Sequence, residues 1–385
     1  MATFSRRRAL GAGGVILGAA ALGTSIAGSA SADGGGSTQA AFGAGKPLPE
    51  ERKSLDQLYA EAKREGGELV VYAGGDTPDQ QDATKQAFRS QFPDINLKII
   101  VDYSKYHDVR VDNQLATNSL VPDVVQLQTL QDFPRWKDQG VLLPYKPAGF
   151  SALYPRFRDP DGAWVGIAVY AFSYMYDAGL GDGGPATPRD LADPRWRGAI
   201  ASSYPNDDDA VLYLYKLYAE TYGWDWVRRL AAQDIVFGRG TPTPIVAVAS
   251  KQKPVGIGGA GSLTGPIAPG VKWVAADGHP FMAWAQRAAI LARAKHPAAA
   301  RLYLNWQLSA PVQQASFDGW SVRTDVKPAG GLEPIWKYPN AHLDGFPRFM
   351  ADRAEVERWK QTFTLYFGEV EGAPTPGVLG LHPGA

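Results

Sequence analysis

Three consecutive aspartates at positions 207–209 stand where a helical pattern begins at Ala210. One carboxylate at such a place caps a helix by accepting hydrogen bonds from its first free amides. Three carboxylates are more than a cap needs. The alternative is that at least one of them faces a cleft and meets an ammonium or hydroxyl group of a solute. The pair Asp76 and Thr77 has the same two interpretations, because it also precedes a helical pattern.

A glycine-rich run at residues 256–261, GIGGAG, matches the Gly-x-Gly-x-x-Gly fingerprint of dinucleotide sites, and Asp277 follows about 20 residues later. That fingerprint requires a helix directly after the glycines. The next segment, residues 262–270, contains two glycines and two prolines and cannot sustain a helix. We therefore reject a dinucleotide site and interpret the glycines as allowing the backbone to approach a ligand closely.

Residue types that catalyse reactions or bind metals are scarce in this chain. It has no cysteine and five histidines, of which His279 and His296 each precede proline. The sequence contains no Gly-x-Ser-x-Gly elbow or His-Glu-x-x-His helix, and no histidine spacing supports a metal cluster. We expect a protein that is not an enzyme and that uses no cofactor or metal.

Apolar periodicity predicts an α/β sheet for the first part of the chain. Strands alternate with helices, which implies parallel strands with crossover connections, and ligands of such sheets lie beyond the carboxyl ends of the strands. The predicted helices cover about residues 55–62, 79–91 and 105–118, and the predicted strands cover residues 68–72, 95–101 and 123–125.

The middle of the chain repeats this alternation after an interruption. Residues 164–176 form one long β-rich passage that is predicted to cross from one lobe to another, and residues 280–291 are predicted to cross back. Between the crossings, strands are expected at 198–202, 234–237, 255–258 and 271–275, and helices at 210–222, 224–232 and 244–250. Helices at 296–308 and 353–367 complete the chain. Each lobe then has its own sheet, and two crossings form the hinge.

The amino terminus predicts export. Arginines at 6–8 precede a mild apolar run that ends at Ala30-Ser31-Ala32, as in a signal peptide of the twin-arginine type. The run is too rich in glycine for a membrane anchor, since a span needs about 20 strongly apolar residues. We assign residues 1–32 to the signal and 33–50 to a flexible linker. The expected location is extracellular, cell-wall-associated or periplasmic.

Charge and length restrict the partners. Lysine plus arginine and aspartate plus glutamate number 39 each, so the formal net charge is zero and nothing indicates attraction to nucleic acid or membranes. About 335 residues remain after the linker, which at about 150 per domain suggests two lobes. The absence of cysteine also excludes disulfides and a lipid anchor on a thiol. A small-molecule ligand and a monomer are expected.

Five segments, in order, resemble landmarks of the extracellular solute-binding proteins of ABC importers, in the branch of ferric-ion, phosphonate and thiamine binders. They are LDQLYAEAKREGGELVVYAGGD, PDVVQLQTLQDFPRWKDQGVLLPY, DLADPRWRGAIASSYP, KPVGIGG and HPAAARLYLNWQLSAPVQQ. The resemblance implies a type 2 periplasmic-binding fold of the α/β class. In such a clamp, two mainly parallel sheets flanked by helices close on a solute and present it to a membrane permease.

The resemblance also implies site residues. First-lobe ligands of the ferric binders correspond here to Asp76 and Gln128, whereas their tyrosine pair corresponds to Ala260 and Gly261, so the phenolate donors for iron are missing. The turn that holds an anion in this group corresponds to residues 204–209. The candidate ligand-binding residues are Asp76, Thr77, Gln128, Thr129, Tyr170, Ser203, Tyr204, Asn206, Asp207, Asp208, Thr243, Gly259, Ala260 and Gly261.

The function implied is capture of a small polar solute by hinge closure and its delivery to an ABC permease. Lobe 1 is assigned to residues 51–168 plus 284–385 and lobe 2 to residues 169–283. Polyamine, thiamine-like, phosphonate and sugar solutes all remain open. Two alternatives also remain, an exported hydrolase or lyase that uses the aspartates as acid and base, and a binder of metal chelates.

Overall fold

The computed structural model describes residues 48–315 and 319–381. The predicted signal peptide and residues 33–47 of the predicted linker lie outside the described residues. Within the described part, no helix combines the length and the apolar composition that crossing a bilayer requires.

Helices and strands alternate much as the apolar periodicity predicts. The strands are Glu68–Gly74 (β1), Asn96–Asp102 (β2), Val124–Leu127 (β3), Val165–Asp177 (β4), Ile200–Ser203 (β5), Val236–Gly238 (β6), Val255–Ala260 (β7), Val271–Val274 (β8) and Met282–Ile290 (β9). The helices are Leu55–Glu65 (α1), Asp82–Gln91 (α2), Ser104–Ala116 (α3), Asp132–Asp138 (α4), Asp209–Tyr222 (α5), Trp224–Ala231 (α6), Pro242–Ala249 (α7), Pro297–Gln307 (α8), Ala310–Gln314 (α9), Gly345–Ala351 (α10) and Arg353–Phe367 (α11).

The described strands form one sheet in the order β2-β1-β3-β9-β4-β7-β5-β6, with β8 paired to β4. We call β2-β1-β3 and the helices that follow these strands the first half, and β7-β5-β6 with α5, α6 and α7 the second half. Strands within each group are parallel. The carboxyl ends of these parallel strands are therefore where a ligand site is expected.

Two long strands connect the halves. Strand β9 pairs with β3 on one side and runs antiparallel to β4 on the other. The far end of β4 leaves β9 and pairs with β7 and β8. These two strands correspond to the crossings predicted at residues 164–176 and 280–291. The α/β class and the two-crossing architecture are confirmed.

The last helices of the described chain pack against different halves. Helix α8 packs against α1 and against β1 of the first half. Helices α10 and α11 instead pack against α5 and α6 of the second half, where Phe346, Met350 and Phe363 join the apolar core. The reason is that these aromatic and apolar side chains bury their surface against α5, which is apolar on most of its circumference.

Gly258 is the extra residue of a bulge in β7, where the register with β4 shifts between Ser173 and Tyr174. Its φ is +82°, and a Cβ there would lie 2.8 Å from Val211 Cγ1 of α5. We predict that Gly258→Ala destabilises the protein by about 1–3 kcal/mol, measured by urea unfolding. In Gly183→Ala, the new Cβ meets no atom within 4 Å, so the urea midpoint of unfolding should stay close to that of the wild type. Equal midpoints for the two variants would contradict this account.

Candidate functional site

A cavity of about 420 Å³ lies at the carboxyl ends of the parallel strands, with walls from both halves of the sheet. Eight of the predicted site residues line it. From the first half come Asp76, Thr77, Gln128 and Thr129, from β4 comes Tyr170, and from the second half come Asp207, Asp208 and Ala260. The cavity has the volume typical of sites for small molecules.

Three other predicted residues lie outside the cavity because they are engaged within the second half. Ser203 is fully buried and donates to the carbonyl oxygen of Gly240 at 3.0 Å. Tyr204 stacks on Phe237, with ring centroids 5.2 Å apart. Asn206 donates to Thr364 Oγ1 at 2.8 Å, so its amide joins the acidic turn to α11 rather than facing a solute.

The remaining three predicted residues also do not line the cavity. Thr243 Oγ1 donates to the carbonyl oxygen of Arg239 in the first turn of α7. The carbonyl oxygen of Gly259 accepts from Trp273 Nε1 at 3.2 Å, and Gly261 lies directly against the same indole. The glycines therefore allow close contact within the protein, and β7 continues through the glycine run without the helix that a dinucleotide site needs.

Several lining residues were missed by sequence reasoning. Tyr103, Ser104 and Lys105 directly follow β2, so the rule about carboxyl ends of parallel strands could have found them. Trp284 lies on β9, and its apolar surroundings gave no sign that it reaches a cavity. Met350 comes from α10, which no sequence signal brings to this site.

Asp207 is the centre of an ion cluster between the halves. Lys105 Nζ donates to Asp207 Oδ1 and to its carbonyl oxygen, at 2.5 Å each. Arg239 donates to both carboxylate oxygens, at 2.8 and 3.1 Å. Burial alone would raise the pKa of Asp207, but the bonds and charges of Arg239 and Lys105 outweigh it and hold the pKa below its usual value. Asp207 is therefore ionised and joins α3 to the second half.

Asp76 makes a second link between the halves. Its Oδ2 accepts from the amide of Thr241, at 3.2 Å, and from the hydroxyl of the same residue at the start of α7. Burial raises the pKa of Asp76 more than the Thr241 bonds lower it, and repulsion from Asp207 adds to the increase. The free protein thus holds a carboxylate that is costly to ionise at the edge of the cavity.

Asp208 is the one of the three aspartates that caps helix α5, as the sequence predicts for one of them. Its Oδ1 accepts from the amides of Ala210 and Val211, at 2.8 and 2.9 Å, at the start of α5. Burial and then repulsion from Asp76 raise the pKa of Asp208 to about 7. The third aspartate, Asp209, points to α11 and lies 3.0 Å from Lys360 Nζ.

Aromatic rings from the crossing strands form one wall of the cavity. Tyr170 and Phe172 on β4 and Trp284 on β9 line the cavity. Phe172 meets Trp284 edge to face at 4.9 Å between centroids, and Tyr170 lies 5.5 Å from the same ring. Such a wall can hold a flat or apolar body. Among the described residues, no group of three or more His, Asp or Glu side chains is arranged to hold a metal ion.

Residues 368–381, which we call the C-terminal strap, bridge the two halves beside this cavity. The strap leaves α11, where Asn206 donates to the carbonyl oxygen of Gly368 at 3.0 Å. Thr375 Oγ1 then forms a hydrogen bond of 2.8 Å with the hydroxyl oxygen of Tyr103. Near its end, Arg110 of α3 donates to the carbonyl oxygen of Gly380. A separation of the halves must stretch or detach this segment.

We predict that removing residues 369–385 raises the dissociation rate of a bound solute by up to about 100-fold, because about three hydrogen bonds of about 1 kcal/mol each are lost from the closed form. Two of them join Thr375 to the hydroxyl of Tyr103, and the third joins Arg110 to Gly380. Stopped-flow tryptophan fluorescence measures this rate. Thr375→Ala should give a smaller increase in the same direction. An unchanged rate in the truncated protein would mean that the strap does not restrain opening.

Comparison with known proteins agrees with this geometry. Residues 121–235 match the family model described as bacterial extracellular solute-binding protein. This stretch contains β3, β4 and the acidic turn. The resemblance to extracellular solute-binding proteins is confirmed. No curated protein has significant sequence similarity to the chain.

Solved structures share the type 2 periplasmic-binding fold. Iron-bound HitA from Pseudomonas aeruginosa is 17% identical with a TM-score of 0.58, over 77% of this chain and 98% of that one. AfuA from Actinobacillus pleuropneumoniae with fructose-6-phosphate is 18% identical, TM-score 0.61, over 78% and 99%. A substrate-binding protein of an ABC transporter from Agrobacterium tumefaciens is 15% identical, TM-score 0.63, over 79% and 96%. The family and these neighbours are binding proteins, not enzymes.

Proposed function

We propose that this protein captures a small polar solute between its two halves and delivers it to the permease of an ABC importer. The observation that carries the proposal is the cavity itself, whose walls come from both halves and whose edges are joined by Asp76 with Thr241 and by Lys105 with Asp207. A solute that contacts both walls binds the closed form better than the open form. This difference in affinity is what drives hinge closure.

The lobes in this proposal are those expected from the sequence, residues 51–168 plus 284–385 and residues 169–283, with α10 and α11 moving with the second. Strands β4 and β9 act as the hinge. Export through the signal at residues 1–32 and action as a monomer complete the proposal. The match to a family of extracellular solute-binding proteins and the neighbours' description as periplasmic or ABC-transporter binding proteins support an exported role.

The direct test combines calorimetry against a library of amines, sugars, phosphonates and amino acids with small-angle scattering. A solute that binds one to one with a dissociation constant near micromolar, about 8 kcal/mol of binding free energy, should reduce the radius of gyration. Binding without compaction for every solute would contradict hinge closure. Co-purification with an ABC permease from the membranes of the source cell would test the transport partner.

A further inference from the structure

Acidic side chains outnumber basic ones among the described residues that line the cavity. Four carboxylates line it, and two of them have cationic partners. Asp207 is paired with Lys105 and Arg239, and Asp209 is paired with Lys360. Neither Asp76 nor Asp208 forms an ion pair with any described lysine, arginine or histidine. Lys105, the cation that reaches the cavity, is committed to Asp207 at 2.5 Å.

The two unpaired carboxylates have acceptor capacity to spare. The bonds to Asp208 all go to Oδ1, two from the amides of α5 and a long one of 3.5 Å from Gln128. The bonds to Asp76 both come from Thr241 and go to Oδ2. Each carboxylate thus keeps one oxygen to which no described residue donates. Burial raises the pKa of both groups, and repulsion adds to the increase, from Asp207 at Asp76 and from Asp76 at Asp208. The carboxylates that line the cavity therefore lack enough positive charge beside them.

An anion is disfavoured by the same contacts. The start of α5 is the place where free amides could bind a phosphate or carboxylate. Here the carboxylate of Asp208 already accepts hydrogen bonds from those amides, and it adds a carboxyl group to the wall of the cavity. Any phosphate would need to displace this cap and approach Asp76 as well.

A buried hydroxyl group and the aromatic wall indicate what else the ligand contains. Thr129 lines the cavity and is only 3% exposed, and its hydroxyl has no hydrogen-bond partner among the described residues. Such a buried group needs a partner, which a polar atom of a ligand would supply. Tyr170, Phe172 and Trp284 line the same cavity as the carboxylates and offer ring faces and edges that suit an apolar body and a neighbouring cation.

We infer that the solute is an organic ammonium ion, with its positive nitrogen between Asp76 and Asp208 and a flat or apolar body against Tyr170, Phe172 and Trp284. This inference rests on the proposed function, because it names the solute class of the same cavity. In the empty protein a proton partly neutralises the two carboxylates, and the arriving ammonium ion displaces it. Binding near pH 7 therefore releases a fraction of a proton.

The pH dependence of binding involves every charged group that faces Asp208. These are Asp76 from the end of β1, Asp207 and Asp209 on its own turn, Lys105 from α3 and Arg239 through Asp207. Asp207 and Asp209 keep their ion pairs with lysine or arginine. The pH dependence of binding therefore comes mainly from Asp76 and Asp208. Affinity for an ammonium ion should rise between pH 5 and pH 8 and then level off.

The test is isothermal titration calorimetry with butylammonium and 2-phenylethylammonium, compared with the neutral 2-phenylethanol and the anionic 3-phenylpropanoate. One ammonium probe should bind at least about tenfold more tightly than both analogues, with proton release that shows as different enthalpies in phosphate and Tris buffers. Asp76→Asn and Asp208→Asn should each weaken that binding by about 30-fold. Asp234→Asn, an exposed carboxylate outside the cavity, should leave it unchanged.

The inference is overturned if the alcohol or the carboxylate binds as tightly as both ammonium ions, if neither ammonium ion binds up to about 10 mM, or if both asparagine variants keep full affinity. The proposed function has a separate outcome. Compaction with a neutral or anionic solute from the library would keep hinge closure and remove the ammonium ion, whereas binding without compaction would remove hinge closure alone.

Discussion

Asp207→Asn is expected to open the solute-free protein and to weaken solute binding by about 30-fold. The substitution leaves Lys105 and Arg239 facing a neutral amide, and these are the cations that join α3 to the acidic turn. Breaking a largely buried ion pair by removing one partner costs about 3–5 kcal/mol. Lys105 is about one-third exposed, so water recovers part of this cost and about 2 kcal/mol remains.

The measurements for this variant are the radius of gyration by small-angle scattering and the dissociation constant by calorimetry. Asp225→Asn is the matched control, because Asp225 forms an exposed ion pair with Arg228 in the same half. Such pairs contribute less than about 1 kcal/mol, so the control should behave as the wild type. An Asp207→Asn protein that stays as compact as the wild type and binds as tightly would show that this cluster does not hold the halves together.

Asp208→Asn is expected to stabilise the solute-free protein at pH 8 by roughly 1–2 kcal/mol while it reduces solute binding. Asparagine still caps α5, since it is among the preferred residues at this position. The change removes a carboxylate whose ionisation is opposed by burial and by Asp76. A site residue that costs stability in the empty protein is typical of binding sites.

The sign of the pH dependence follows from the raised pKa of Asp208, about 7 in the folded protein against 3.8 for the ordinary group. Between these values the folded state binds more protons than the unfolded state. Its free energy of unfolding therefore falls as pH rises from about 4 to 7, and the loss is complete above pH 7. Asp76 acts in the same direction.

Urea unfolding at several pH values measures this effect. The Asp208→Asn curve should be flatter than the wild-type curve, and the two proteins should agree near pH 4.5, where the wild-type carboxyl group is protonated. That agreement is the internal control for a loss of capping. Equal stability at pH 8, or lower stability of the variant at both pH values, would mean that the surroundings of Asp208 do not oppose the ionisation of its carboxyl group.

The order of strands and helices was predictable because it depends on local periodicity and on glycine and proline. Helix α11 begins and ends at the predicted residues 353 and 367. Residues 345–351, by contrast, had no clear helical pattern and form α10 because Phe346 and Met350 pack on α5. The strap at 368–381 has few apolar residues, so only its tertiary hydrogen bonds, such as that of Thr375 to Tyr103, reveal its course.

The site was predictable where the family resemblance or a rule of sheet topology applied. The resemblance to the ferric binders indicated Asp76 and Gln128, the position of Asp208 at a strand-to-helix turn indicated that residue, and all three line the cavity. Ser203 ends β5 and Tyr204 follows it, but the hydroxyl of Ser203 donates to Gly240 and the ring of Tyr204 stacks on Phe237. Sequence spacing cannot reveal these partners. The contributions of Trp284 and Met350 depend on how distant segments pack, and they needed the three-dimensional structure.

The most direct test of hinge closure is the distance between the halves with and without solute. Because the chain has no cysteine, Val109→Cys on α3 and Val246→Cys on α7, both at least half exposed, can carry a pair of spin labels. Pulsed electron resonance should give a broad distribution of distances for the free protein, and a shorter and narrower one at saturating solute. The same distribution in both states, with binding demonstrated by calorimetry, would contradict the account.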